Sequence, residues 1–133
     1  MLFRSIVTYG MMINEALEAA RDIEDMGFSA EVIKLGRISP LVLTEVFKSL
    51  EKTGRLVVCE DVCAAGCIGE RILAEAALNN VRLLGARLLN LGEGIVTHGE
   101  VSELRKLCGI DSDSIVKAAL SVQGGASRGC AAI

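Results

Sequence analysis

The chain has 133 residues, enough for one domain with a substantial core, and its net charge of −3 comes from 14 basic and 17 acidic residues. The basic residues are scattered rather than striped, which leaves nucleic-acid binding unsupported. No apolar stretch approaches the roughly 20 residues needed to cross a bilayer, and Met1–Ser5 leads into a strand pattern without a signal-type apolar segment, so a cytoplasmic protein is expected.

Hydrophobic residues make up 51% of the chain and aromatic residues only 3%, so the core must be built from Leu, Ile, Val and Ala. The mean hydropathy of +0.46 implies either a rich core or apolar surface to spare for a partner chain or neighbouring domain. In chain order, Ser5–Tyr9 is a β-type run, and Gly10 releases the chain into a helix predicted to bury Ile13, Ala16, Leu17, Ala20 and Ile23. Gly27 ends that helix, and Ala30–Leu35 is a second strand. Ser39 is placed to cap a helix with Pro40 at its first position and Leu43, Val46, Phe47 and Leu50 on its buried face, stopped by Gly54.

Leu56–Asp61 reads as a central buried strand that stops on two acids, followed by a glycine-bearing loop and a helix with Ile68, Ile72, Leu73 and Ala76 in its stripe. Asn79 and Asn80 break it. Val81–Leu91 holds a fourth strand and a possible fifth, split near Gly85. Thr97-His98-Gly99-Glu100 has the form of a capping box, with Val101, Leu104, Leu107 and Cys108 at helical spacing and Gly109 at the helix end. Asp111 or Ser112 starts a last helix through Ile115, Val116, Ala119 and Leu120, and Gly124–Gly129 reads as a frayed tail. The alternation implies a three-layer α/β/α sandwich with a mainly parallel sheet of about five strands, in a domain over residues 1–122 with a tail over 123–133.

Loops at the carboxyl ends of such strands are where open α/β sheets put ligands or partners, so Glu60, Asp61 and the loop after them are the first place to look for chemistry. Adjacent strand residues point to opposite faces, however, which places Glu60 and Asp61 poorly for a paired-carboxylate site and favours a structural or interface role. Cys59, Cys63 and Cys67 recur every fourth residue, but the first belongs to a strand and Gly66 interrupts the helical pattern, so reduced thiols are expected rather than a metal site. His98 is the single histidine and is more readily a cap contact or surface residue than an acid or base. Gly92-Glu93-Gly94 resembles the opening of the motif that holds magnesium and thiamine diphosphate, but no Asn follows Asn90 to act as the later ligand. No catalytic, cofactor-binding or metal-binding residue is assigned, and the chain reads as an α/β domain that assists something else.

Several segments, in order along nearly the whole chain, are similar to the carboxy-terminal domain of the transketolase superfamily: Ser5–Met12, Ile38–Leu41, Lys52–Val58 with Glu60 and Asp61, and Gly66 with Gly69. That domain is shared by transketolases, the β subunits of 2-oxoacid dehydrogenases and 1-deoxy-D-xylulose-5-phosphate synthase. Leu89–Gly99, Glu103-Leu104 and Gly109-Ile110-Asp111 resemble the end of the synthase. Val42 stands where the family commonly has Asp, and Gly66-Cys67-Ile68-Gly69 where relatives often carry Gly-Gly-x-Gly. The resemblance implies a parent enzyme that joins decarboxylated pyruvate to glyceraldehyde 3-phosphate with thiamine diphosphate and magnesium, both held by other domains. It implies a homodimer in which this domain packs beside the catalytic domains and is inactive alone. The alternatives are an independent binding or regulatory module, or the carboxy-terminal part of a split transketolase-like enzyme.

Overall fold

The computed structural model describes residues 3–122. β1 (Arg4–Thr8) leads through a 3-10 turn at Gly10–Met12 into α1 (Ile13–Asp25), and β2 (Ala30–Lys34), α2 (Thr44–Thr53), β3 (Arg55–Cys59), α3 (Ile68–Leu78) and β4 (Gly85–Leu89) follow. α4 (Val101–Cys108) and α5 (Ser112–Ser121) close the fold. The strands lie in the order β2-β1-β3-β4, and every neighbouring pair is parallel.

The period-two alternation along each strand sorts the core into two layers. Ile6, Val57, Cys59 and Leu89 face α1 and α5, where Ala16, Ala19, Ile23, Ile115 and Ala119 cover them. Val7, Leu56, Val58 and Leu88 face α2 and α3, covered by Val46, Leu50 and Ile72. Strands buried on both faces read as continuous apolar runs, which is why β3 was legible. β1 is buried throughout although it carries Arg4, Ser5 and Thr8. Ser5 Oγ meets Ser49 Oγ at 2.6 Å and Thr53 Oγ1 at 2.7 Å, small hydroxyls that bring α2 close to the sheet and satisfy one another.

The three-layer parallel α/β architecture holds, with corrections of detail. Four strands are present among the described residues rather than about five, because only Gly85–Leu89 of the Val81–Leu91 stretch pairs with β3. α1 buries Ala19 and leaves Leu17 41% exposed, since alanines let this helix sit close to the sheet and to α5. α2 begins at Thr44 rather than Pro40; the Ser39-Pro40 peptide is cis, and Ser39 caps nothing. Gly54 does stop α2, in the left-handed region at φ 66°, where Leu84 crowds the place of a Cβ at 3.0 Å. The capping box is absent: Glu100 precedes α4 without any side-chain cap. Asp111 caps α5 by accepting from the Ser114 N–H, and Leu120 remains exposed. The expected tail from Gly124 lies outside the described residues.

Candidate functional site

The crossover from β1 leaves toward β2 and that from β3 toward β4, so the sheet order reverses between β1 and β3. The crevice at the carboxyl ends of those two strands is where a sheet of this kind usually binds a ligand. Here Tyr9 and Glu60, each the first residue beyond its strand, fill it. Glu60 is 1% exposed. Its Oε1 accepts from the Tyr9 hydroxyl at 2.8 Å and from the Ile68 N–H at 2.7 Å, and its Oε2 accepts from the Gly69 N–H at 2.8 Å. Ile68 and Gly69 are the first two residues of α3, whose own N-cap, Cys67, contributes no side-chain bond.

A carboxylate that accepts three hydrogen bonds and donates none matches its acceptor-only inventory when ionised. It sits where the partial positive charge of a helix start is concentrated, so burial without an ion-pair partner is tolerated. Gly69 is required by the approach: a Cβ there would lie 3.1 Å from Glu60 Oε2 and 2.7 Å from Leu88 Cδ2. The loop is also sewn down on its other side, since Glu60 N–H donates to the Leu89 carbonyl, Leu91 N–H to Val62 and Ala64 N–H to Gly92, each at 2.9 Å. Burial, and next the hydrogen bond to Glu60, hold the Tyr9 phenol well above its ordinary range. Burial likewise pushes the Cys67 thiol up, with the Glu60 charge adding to it. Neither the Tyr9 hydroxyl nor the Cys67 thiol is thereby poised to give up a proton near neutral pH.

Asp61 points away and is exposed. It lies 4.0 Å from Arg105 Nη2, and Arg105 Nη1 lies 3.6 Å from Glu15 Oε1. Glu15 in turn accepts from the Ser112 N–H at the start of α5, so this chain of charges ties α4, α1 and α5 together outside the crevice. The two acids are therefore not a dyad, in keeping with their opposite faces. Cys59 is buried with its thiol 3.6 Å from the Ile110 carbonyl, and burial raises its pKa. Cys63 is exposed, and no group of three His, Cys, Asp or Glu able to hold a metal ion occurs among the described residues. His98 lies in the exposed loop before α4. Tyr9 was not singled out from the sequence, and the bond that gives it a role spans 51 positions. The strand-end glutamate followed by a glycine at the second helical position was the one available signal.

With this geometry in place, the class is set by the family model described as "Transketolase, C-terminal domain", which matches residues 5–115. The chain belongs to that family. Among curated relatives, the pyruvate dehydrogenase E1 component subunit beta of Bacillus subtilis (strain 168) is 42% identical over 71 residues, covering 53% of this chain and 22% of the relative. The subunit beta of acetoin:2,6-dichlorophenolindophenol oxidoreductase from Cupriavidus necator is 44% identical over 73 residues, covering 55% and 22%. The chain thus matches about a fifth of the length of these relatives. Among solved structures, one titled a split gene transketolase in an inactive beta4 tetramer superposes with a TM-score of 0.77 at 22% identity, covering 89% of this chain and 38% of that one. A transketolase from Pichia stipitis superposes with a TM-score of 0.62 at 14% identity, covering 96% and 18%. These two likenesses support the fold alone.

Proposed function

We propose that this chain is the carboxy-terminal domain of a thiamine-diphosphate-dependent cytoplasmic enzyme, formed by residues 1–122 with 123–133 as its tail, and that it packs against catalytic domains without doing chemistry itself. The observation that carries this reading is the filled crevice between β1 and β3. The helix start that could receive a diphosphate is already taken by Glu60, whose carboxylate would repel one. The residues present do not suit thiamine diphosphate or magnesium, and both belong with the catalytic domains. The surface left for packing carries exposed apolar side chains: Ile95 is 99% exposed, Leu107 77%, and Val101 at the start of α4 is exposed too. No helix among the described residues is long and apolar enough to cross a membrane.

For the parent activity, the resemblance of Leu89–Gly99 and Gly109–Asp111 supports 1-deoxy-D-xylulose-5-phosphate synthase, acting as a homodimer. A second reading, the β subunit of a 2-oxoacid or acetoin dehydrogenase, is favoured by the relatives at 42% and 44% identity. The chain alone is expected to show no saturable calorimetric binding of thiamine diphosphate with magnesium; micromolar binding would overturn the packing reading. The complete gene product, with any companion subunit, assayed with pyruvate and with acetoin, separates the two parents. Condensation with glyceraldehyde 3-phosphate identifies the synthase, and reduction of 2,6-dichlorophenolindophenol identifies the dehydrogenase.

A further inference from the structure

The amino end of the sheet carries a charge arrangement unlike the rest of the molecule. In the β1–β3 register Ser5 pairs with Leu56, so Arg4 and Arg55 are cross-strand neighbours on the face shared by Ile6 and Val57. Arg87 of β4 pairs with Val57 and lies on that face too, while Gly85, opposite Arg55, has no side chain to cover it. Three arginines therefore share one sheet face, with Arg4 and Arg55 at its amino end and Arg87 one pair further along.

Two of them are turned to the end of α5. Arg4 donates to the Ala119 carbonyl at 2.7 Å and the Val122 carbonyl at 2.6 Å, and its guanidinium sits 3.6 Å from the Phe3 ring centroid. Arg87 donates to the Ser121 carbonyl at 3.1 Å. These acceptors are neutral, and a helix terminus supplies about half a negative charge. That offset is small against the Arg4 charge, and none of these carbonyls accepts from Arg55. Among the described residues no carboxylate lies within 4.0 Å of Arg4 or Arg55. Arg55 Nε is buried with no hydrogen-bond partner. Like charges directly opposite on neighbouring strands are destabilising, and an unpaired buried donor adds to that. Burial, and then the charge of Arg55, lower the Arg4 pKa to about 10.

A cationic pair held side by side with no carboxylate on it among the described residues has the form of a site maintained at a cost to stability. We propose that Arg55, with Arg4 behind it, binds an oxyanion at the amino end of β1 and β3, taking a carboxylate or phosphate oxygen pair on the planar fork of Arg55. The site is at the opposite end of the sheet from Glu60 and does not depend on the parent enzyme's identity.

The test titrates the wild-type chain with sodium phosphate and, separately, sodium acetate against sodium chloride at matched ionic strength, following arginine Nε–H signals by NMR. The Arg55 signal is expected to shift saturably. A response to phosphate alone identifies a phosphate-bearing ligand, and an equal response to acetate identifies a carboxylate such as a partner's acidic side chain. Arg55→Met should abolish the response while melting no lower than wild type without added anion, because like-charge repulsion is relieved. Arg55→Lys, which keeps the charge but loses the fork, should bind at least about tenfold more weakly. A wild-type chain that responds no more than to chloride, or an Arg55→Met chain whose remaining amide signals respond like the wild type, would overturn the site.

Discussion

Two helices start from loops at the same end of the sheet, and they are built in opposite ways. α3 begins against a buried carboxylate, with its first two N–H groups, a tyrosine hydroxyl and a glycine surface all fitted to Glu60. α4 begins after an exposed loop, has no side-chain cap and buries no residue. The difference shows that α3 is capped by tertiary structure rather than by its own N-cap residue, in contrast to α5, where Asp111 caps locally. The helix with the capping-box letters lacks the cap, and the helix without them has one supplied from eight residues upstream.

The largest effect expected from breaking that contrast is at Glu60. In Glu60→Gln one amide group must face the Gly69 N–H, so an acceptor is lost and two donors oppose each other in a buried place. The loss of one charge-assisted bond and the unmet donor should cost about 2–3 kcal/mol. Urea unfolding would show it as a lower midpoint with an unchanged slope. A variant as stable as wild type would mean that the charge on α3 contributes nothing.

Alkaline pH should weaken the same region next. Cys59, Cys67 and Tyr9 all have folded pKa values raised by burial, so the unfolded chain gives up their protons first. The stability these groups contribute is complete below their unfolded pKa values, from about 8.5 for Cys to about 10 for Tyr, and falls as pH rises above them. For the fully buried Cys59 alone, each pH unit above that threshold removes about 1.4 kcal/mol. Chemical unfolding at pH 8 and pH 10 measures this, and thiol labelling at pH 8 should modify exposed Cys63 while sparing Cys59 and Cys67 until the protein unfolds. Equal stability at the two pH values would show that these thiols are not shielded.

Gly69→Ala comes third. Its Cβ would press on Leu88 Cδ2, the movable end of a side chain, and approach Glu60 Oε2. Overpacking of about 1–3 kcal/mol is partly offset by the roughly 1 kcal/mol that alanine gains over glycine in a helix, leaving a net loss of about 1 kcal/mol. Because the substitution touches the Glu60 carboxylate, its effect should not add to that of Glu60→Gln. A double-mutant cycle that closes within about 0.5 kcal/mol would separate the two residues energetically.

The features legible in the sequence were those set by local periodicity. β3 was plain from its apolar run, Gly54 from the need for a left-handed stop, and the α3 stripe from helical spacing. What escaped was set by long-range contact. Leu17 and Ala19 lie about 200° apart around the helix, and the sheet takes the face carrying Ala16, Ala19 and Ile23, which leaves Leu17 outside. Arg4 is buried because α5 ends beside it, 115 positions later in the chain. The acids at the end of β3 were noticed, but the role of Glu60 depends on a helix start and a tyrosine whose positions only the fold defines.

The smallest expected effect tests the other side of the comparison. A working capping threonine is worth about 1 kcal/mol, so if the letters Thr97-His98-Gly99-Glu100 acted as written, Thr97→Ala would cost about that much. In the structure the residue at the cap position is Glu100, without a side-chain bond, and the whole stretch from Glu93 to Glu100 is exposed. Thr97→Ala should therefore change unfolding free energy by less than about 0.5 kcal/mol, the range of an ordinary surface substitution. A loss near 1 kcal/mol would mean that α4 is capped locally in solution. The contrast with α3 would then be one of burial alone, since each helix start would have its own carboxylate or hydroxyl.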